Sequence, residues 1–362
     1  MSLAKLDVFN VRNIERASLE PSPRLNFLVG ANGSGKTSLV EAIYILGRAR
    51  SFRSVQAGQV ITFNKENLTV SGKTLQKVDM PPVSLGVELS RRERQIVLSG
   101  RRLQSSAELI RAFPVLVIQP VSTALLDNAP KHRRQFLDWG VFHVEPSFLE
   151  NWRSYARALS QRNSLLRAGD CRNIEVWDRA LSRYGTMVAE ARETYIESLL
   201  PYFLEAAVLF LGPHDFRLRT DRGWDSQKSL ADVLREEGGA DRRYGYTQFG
   251  PHKGDFSVLL DGRSAKNFLS RGQMKLLVFA LLLAQAHLLE EMIDNRGCVL
   301  IDDLASELDS DNRDKLLRFL EMRRGQFFIT ATDERVFENV RLGEASVFHV
   351  EHGRIKEILI QR

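Results

Sequence analysis

The sequence predicts an α/β protein: a phosphate-loop nucleotide-binding head that carries an inserted, mainly helical domain and no long coiled coil. Three observations carry this expectation. Gly30-Ala31-Asn32-Gly33-Ser34-Gly35-Lys36-Thr37 fills every position of the phosphate-binding pattern G-x-x-x-x-G-K-[ST]. Val299-Leu300-Ile301-Asp302-Asp303 is an apolar run that ends in two acids, the form of a buried strand delivering carboxylates to a site. Between the two, the pattern turns helical and arginine-rich over residues 121–244.

In chain order, Met1 to Val8 alternates like an edge or half-buried strand and lacks the apolar core of a signal peptide. Leu25-Asn26-Phe27-Leu28-Val29 reads as a buried strand and Ser38 to Leu46 as a helix, the flanks a phosphate loop requires. Loop glycines let backbone N–H groups turn toward phosphate oxygens, and the helix start adds its positive dipole end. Lys36 supplies a point charge for the β- and γ-phosphates, and Thr37 a hydroxyl for Mg²⁺, with Ser38 completing the loop. A glycine turn that merely joins strand to helix is the alternative, but it needs neither the lysine nor the threonine. Leu68 to Gly72, Ser84 to Leu89 and Gln95 to Gly100 alternate as antiparallel strands, the last two as a hairpin. Val115 to Gln119 is a further buried strand, stopped by Pro120.

In the middle segment Trp152, Tyr155, Leu159 and Leu166 recur at helical spacing, as do Trp177, Leu181, Tyr184 and Val188, and are expected in a core. Short strands follow near Phe256 to Leu260, then a buried helix from Gln273 and a late strand at Gln326 to Thr330. The head is thus expected from residues 1–120 and 245–362, and the insert from 121–244. Leu269-Ser270-Arg271-Gly272-Gln273 opens the buried helix, and its serine cap leaves N–H groups for an anion or simply caps the helix.

Composition sets the limits. The 362 residues suffice for about two domains, and 43% apolar with 27% charged residues is ordinary for a globular protein. A net charge of +6 and pI near 9.4 permit a polyanionic partner. Cys171 and Cys298 have no metal spacing and form no disulfide framework, which fits a reducing compartment. The longest apolar run, Leu276 to Ala284, is too short to span a bilayer, so the expected location is the cytoplasm, away from membranes.

The acids complete the nucleotide reading. Asp302 is placed to hold Mg²⁺, and Asp303 to orient the attacking water or accept its proton. The order phosphate loop, long insertion, Leu-Ser-x-Gly-Gln, acidic strand and Ser306-Glu307-Leu308-Asp309 resembles the ATP-binding-cassette ATPases. Leu269 to Gln273 looks like their L-S-G-G-Q signature with Arg271 at a usual glycine, and Ser306 to Asp309 like their dimer-contacting loop with Glu307 for alanine. In that family Ser270, Gly272 and Gln273 of one subunit reach the nucleotide held by the other, so ATP joins a homodimer. Gln119 matches the magnesium-sensing glutamine. Asp303 stands where glutamate is usual, and the switch histidine is missing from Ile329 to Asp333; both imply slow hydrolysis.

Further landmarks narrow the resemblance. Val11-Arg12-Asn13-Ile14, Gly47 to Arg53, Asn128 to Trp139, Gln161-Arg162-Asn163 and Gly250-Pro251-His252-Lys253-Gly254-Asp255 look like the bacterial RecF family across nearly the whole chain. The resemblance implies an SMC-like head and a weak, DNA-stimulated ATPase that takes ATP and Mg²⁺. It implies binding to duplex, gapped and single-strand–duplex junction DNA, and work with RecR and RecO in loading RecA. Lys131, Arg133, Arg134, Arg153 and Arg157 are the candidate phosphate contacts, with solvated surface or, for Arg133, an internal pair with Asp138 as alternatives. His252 is expected to be packed and bonded to backbone. A transporter's ATP-binding subunit, or a clamp that binds ATP and hardly turns it over, are the competing readings.

Overall fold

The structure is a computed structural model of the 362-residue chain that describes residues 2–75, 81–127, 129–169, 172–293, 297–303, 308–333 and 345–358. The first segment runs β1 (Ser2–Val11), β2 (Ile14–Leu19), β3 (Leu25–Val29), α1 (Lys36–Arg48), β4 (Asn67–Leu75), β5 (Val83–Ser90) and β6 (Arg94–Leu98). It continues with β7 (Arg101–Arg102), α2 (Ala107–Ala112) and β8 (Val115–Ile118). The middle holds α3 (Ala124–Asp127), α4 (Pro130–Val144), α5 (Phe148–Ala168), α6 (Ile174–Leu211) and β9 (Phe216–Asp221). After these come α7 (Leu230–Glu236), α8 (Gly238–Tyr244), β10 (Asp255–Leu260), β11 (Arg263–Ser264), α9 (Ala265–Phe268) and α10 (Arg271–Met292). The last segment runs β12 (Cys298–Ile301), α11 (Ser310–Glu321), β13 (Gln326–Ala331), β14 (Ala345–Glu351) and β15 (Arg354–Ile358).

Two compact units result: residues up to Ser122 with those from Leu289 onward, and residues Thr123–Leu288. In the first, β14-β3-β13-β12-β8 form a parallel sheet with β15 added antiparallel at one edge. β3 sits inside it and buries all five residues, as a strand covered on both faces must. A second, antiparallel sheet has the order β2-β1-β4-β5-β6-β7. α1 lies in a single core with both sheets: Leu3, Leu6, Val70 and Val87 of one and Leu300, Phe328 and Phe348 of the other join Leu39, Ile43 and Leu46. Burial on nearly every side explains why α1 is apolar almost all round. β1 pairs with both β2 and β4, so of the two readings its alternation offered, edge or half-buried strand, it is the half-buried one, inside the sheet.

The second unit is helical, with α5 and α6 as its long pair. Tyr155, Leu166, Leu181 and Val188 are buried in it, whereas Trp152 is 41% exposed and lies outside the core expected for it. The unit also holds a sheet of order β11-β10-β9. β9 interrupts a stretch expected to be mainly helical; its Phe-Arg-Leu-Arg-Thr-Asp alternation carries period 2, and it pairs antiparallel with β10 along its whole length. That pairing draws residues 255–264 into the middle unit, and the compact grouping places its second limit at Leu288/Leu289 instead of 244/245. α6 and α10 are long and apolar enough by length and composition to cross a membrane; 67% of the most apolar window of α10 is buried in the protein.

Candidate functional site

The phosphate loop leaves β3 at Val29 and enters α1 at Lys36. Gly35 has φ 120, a conformation that L side chains rarely adopt, and it turns the chain into the helix. A Cβ at Gly30 would run into the Val350 carbonyl, so the loop's first position also needs glycine. Asn13 braces the turn: its amide nitrogen donates to the Ser34 carbonyl at 3.3 Å, and its oxygen accepts from Ser38 Oγ at 2.8 Å. Ala31, Asn32 and Gly33 face solvent.

Lys36 Nζ donates to the carbonyls of Gly30 and Ala31 at 2.7 and 2.9 Å and is 8% exposed. Burial lowers its pKa, while the charges of Asp303 and Asp302 oppose that shift. β12 runs parallel between β13 and β8 and brings Asp302 to the loop. Asp302 Oδ1 accepts from Thr37 Oγ1 at 3.0 Å and from Thr330 Oγ1 at 2.9 Å. Burial raises the pKa of Asp302, with these two hydroxyls working against the rise. Asp303 takes a left-handed backbone, φ 57, and its N–H donates to Thr330 Oγ1 at 2.6 Å. Non-glycine residues adopt this region uncommonly, aspartate more readily than most, and it recurs at active sites. Gln119 follows Ile118, whose carbonyl accepts the Asp302 N–H at 2.9 Å, so the end of β8 lies beside that acid.

A further charged group lies beside the loop. Glu41 of α1 is fully buried, and its two oxygens each accept from Arg12 at 2.9 Å. Ser51 Oγ also donates to Glu41, and Arg53 lies 3.6 Å from it. The positive charge of Arg53 acts to lower the pKa of Asp302. An acid inside an apolar helix was the available signal, because a buried carboxylate needs partners. Thr330, which ties Asp302 to Asp303, carried no signal of its own.

The loop fits a polyphosphate. Ser34 Oγ is buried with no hydrogen-bond partner among the described residues, just before a helix whose free N–H groups favour an anion. Lys36 is held by carbonyls and, among the described residues, makes no direct carboxylate contact. Thr37 and Asp302 supply the hard oxygens that Mg²⁺ takes alongside phosphate oxygens.

The other expected residues lie as follows. Ser270, Arg271, Gly272 and Gln273 are exposed at the start of α10, where Ser270 N–H donates to Gln273 Oε1 at 3.0 Å and Gln273 N–H to Ser270 Oγ at 3.2 Å. This reciprocal capping box satisfies two end groups of the helix. Asp309 caps α11, accepting from the Asn312 N–H at 2.8 Å, and these bonds lower its pKa. Ser306 and Glu307 lie outside the described residues, as do Asn128 and Cys171.

Arg133 and Arg134 need correction as a DNA-facing cluster. Arg133 is 12% exposed and forms a two-pronged pair with Asp255, at 2.7 and 2.8 Å. Arg134 donates to the Gly254 carbonyl at 2.9 Å. Asp138, suggested as the partner of Arg133, pairs with Arg192 at 2.8 Å. Lys131, Arg153 and Arg157 are exposed. His252 stands between the Tyr155 hydroxyl, 2.5 Å from Nδ1, and the Thr247 carbonyl, 3.1 Å from Nε2.

Comparison with known proteins gives a family and several neighbours. The model of the RecF/RecN/SMC N terminal domain matches residues 2–356. The DNA replication and repair protein RecF of Stutzerimonas stutzeri (strain A1501) is 44% identical over 364 residues, covering 99% of this chain and 98% of that protein. Its counterpart in Pseudomonas aeruginosa (strain LESB58) is 42% identical over 362 residues, with the same coverage. Among solved structures, the recombination mediator protein RecF-ATPrS in the RecFOR pathway superposes with a TM-score of 0.87 at 25% identity, covering 99% of this chain and 98% of that one. An SmcHead bound to the C-winged helix domain of ScpA superposes at 0.62 with 14% identity, over 100% of this chain and 98% of that one, a likeness of fold.

Proposed function

This chain belongs to the RecF family, and on that premise we propose that it is a cytoplasmic, ATP-dependent DNA-binding recombination mediator. It dimerises on ATP, recognises gapped or junction DNA, and helps to load RecA together with RecO and RecR. Slow ATP hydrolysis triggers release. The observation that carries the nucleotide part is the convergence of the phosphate loop on the acidic strand, Thr37 and Thr330 on one oxygen of Asp302. The solved RecF-ATP relative supports the choice of nucleotide.

In this reading the loop N–H groups and Ser34 Oγ bind the phosphates. Lys36 gives up its carbonyl partners to hold the β- and γ-phosphates. Thr37 and Asp302, with Gln119, would hold Mg²⁺, which would supply neutralisation of phosphate charge. Asp303 takes a proton from the attacking water as its oxygen bonds to the γ-phosphorus and the bond to the β-phosphate oxygen breaks, leaving ADP and phosphate. Thr330 fixes Asp303 through its backbone N–H. The shorter reach of aspartate, and threonine and aspartate where a histidine is usual, keep turnover slow; that DNA stimulates it is a separate part of the proposal. Ser270, Gly272 and Gln273 contact the nucleotide of the second subunit, with Asp309 at the same seam.

Sedimentation velocity with ATP, with and without gapped duplex, tests this reading. The wild-type protein is expected as a dimer with ATP. Lys36→Met removes one charge-assisted contact and is expected to weaken ATP binding by at least about tenfold, and to stay monomeric. Ser270→Arg is expected to bind ATP normally as a monomer and fail to dimerise. A dimer from Lys36→Met, or lost monomer affinity in Ser270→Arg, overturns the assignment.

A further inference from the structure

α8 ends in an unusual display. Arg242 and Arg243 are exposed, and Tyr244 and Tyr246 follow at 63% and 43% exposure. Their ring centroids lie 6.2 Å apart with the planes inclined by 48°. Tyrosine buries its ring where it can, so a neighbouring exposed pair points to a contact surface. The arginines alone have a local reason, since cations suit a helix C-terminus. That reason does not extend to the rings.

The display is rigid. Thr247, between Tyr246 and Gln248, is buried; its N–H and hydroxyl both donate to Asn163 Oδ1, at 2.8 and 2.7 Å. Its Oγ accepts from Arg162 at 2.8 Å, and the Gln248 N–H donates to Asp241 at 3.0 Å. The ring of Tyr246 is therefore presented by a fixed backbone, which lowers the entropy lost on binding. Lys253 Nζ sits 5.4 Å from the centroid of that ring. Beside it opens a depression of about 440 Å³, walled by Trp224, Gln248 and Phe249 and carrying the carboxylates of Asp221 and Asp225.

We infer that this loop is a stacking platform for unpaired bases of single-stranded DNA, an assignment that rests on the DNA-binding reading above. Charge sets the direction of the strand. The two carboxylates repel phosphates from the depression, so the backbone follows Lys253 at its wall and the exposed Arg242 and Arg243 in the last turn of α8. The bases turn inward, where Tyr244 and Tyr246 meet their faces. Asp221, Asp225 and Gln248 offer acceptors to exocyclic amino groups, as carboxylates do for the cytosine amine. Cytosine and adenine fit this edge better than thymine, which has no amino group. A duplex keeps its base faces stacked and cannot use the platform.

The test compares wild type, Tyr244→Ala/Tyr246→Ala and Tyr246→Phe by fluorescence anisotropy with ATP present. The probes are a blunt duplex and two duplexes with gaps of equal length, one filled by dC and one by dT. Wild type is expected to prefer the dC gap to the dT gap. The double variant is expected to lose about tenfold or more on the dC gap and nothing on the blunt duplex, while Tyr246→Phe stays near wild type. Tyr246→Leu, which keeps apolar bulk but no ring, serves the same comparison should the double variant unfold. Equal losses on all three DNAs, or no loss on the gaps, overturn the platform and leave the proposed function standing. Absence of ATP-stimulated wild-type binding to any of the DNAs overturns the proposed function, and the platform with it.

Discussion

Asp303 combines three properties that rarely meet in a passive residue: a left-handed backbone, an N–H tied to Thr330, and a place next to the carboxylate that Thr37 contacts. Asp303→Asn keeps the shape but cannot accept a proton. Phosphate release is expected to fall by roughly 10²–10⁴-fold, with ATP binding kept and dimers on DNA longer-lived; an unchanged rate removes Asp303 from the reaction. His252 offers a separate test. Burial, aided by the charges of Lys253 and Arg134, lowers its pKa from 6.5 to about 4. The folded protein thus keeps the ring neutral where the unfolded chain takes up a proton. The contribution of His252 is present in full above pH 6.5 and is lost as pH falls toward 4. The loss reaches about 3 kcal/mol at its limit. Denaturant melts between about pH 7.5 and 4.5, which spans most of that titration, are expected to fall less steeply for His252→Gln than for wild type. Parallel slopes would show that His252 does not set them.

At the scale of elements, α4 and β10 are held together by the Arg133–Asp255 pair. Arg133→Ala leaves a half-buried carboxylate without its cation and is expected to cost about 2–3 kcal/mol, somewhat less than the loss of one partner from a fully buried pair. A melt that does not move shows the pair to be worth no more than a surface contact. The same pair shows where sequence reading stops. A cation five residues from an acid on one helix, Arg133 and Asp138, suggested a local pair, but each turns to a partner far along the chain, Asp255 and Arg192. Nothing in local pattern reports a partner 122 residues away. The phosphate loop was legible because its chemistry is local: strand, glycine turn, lysine and helix follow one another without a gap. The strand–acid element was legible for the same reason. β9 was missed although its alternation was present, because helices surround it and its partner β10 follows only after α7 and α8. Glu41 was missed because it lies within a helix read for its apolar face.

At the scale of the whole molecule, the net charge of +6 divides into two populations of cation. Arg133, Arg162, Arg192 and Arg222 are committed to acids inside the second unit. Arg153 and Arg157 stand exposed on α5. If the exposed pair contacts DNA, replacing both by Ala is expected to weaken binding evenly across sequences and make the slope of log affinity against log salt shallower by about 2, with no change in melting temperature. A retained slope moves the DNA face elsewhere. The two populations also answer differently to added electrolyte. Exposed cations lose their hold on a polyanion within tenths molar, whereas pairs shielded from water are screened far less. Chromatography on a heparin resin therefore has a safe margin: the salt that elutes the protein leaves the clasp between Arg162 and its two aspartates closed, and the eluate emerges folded.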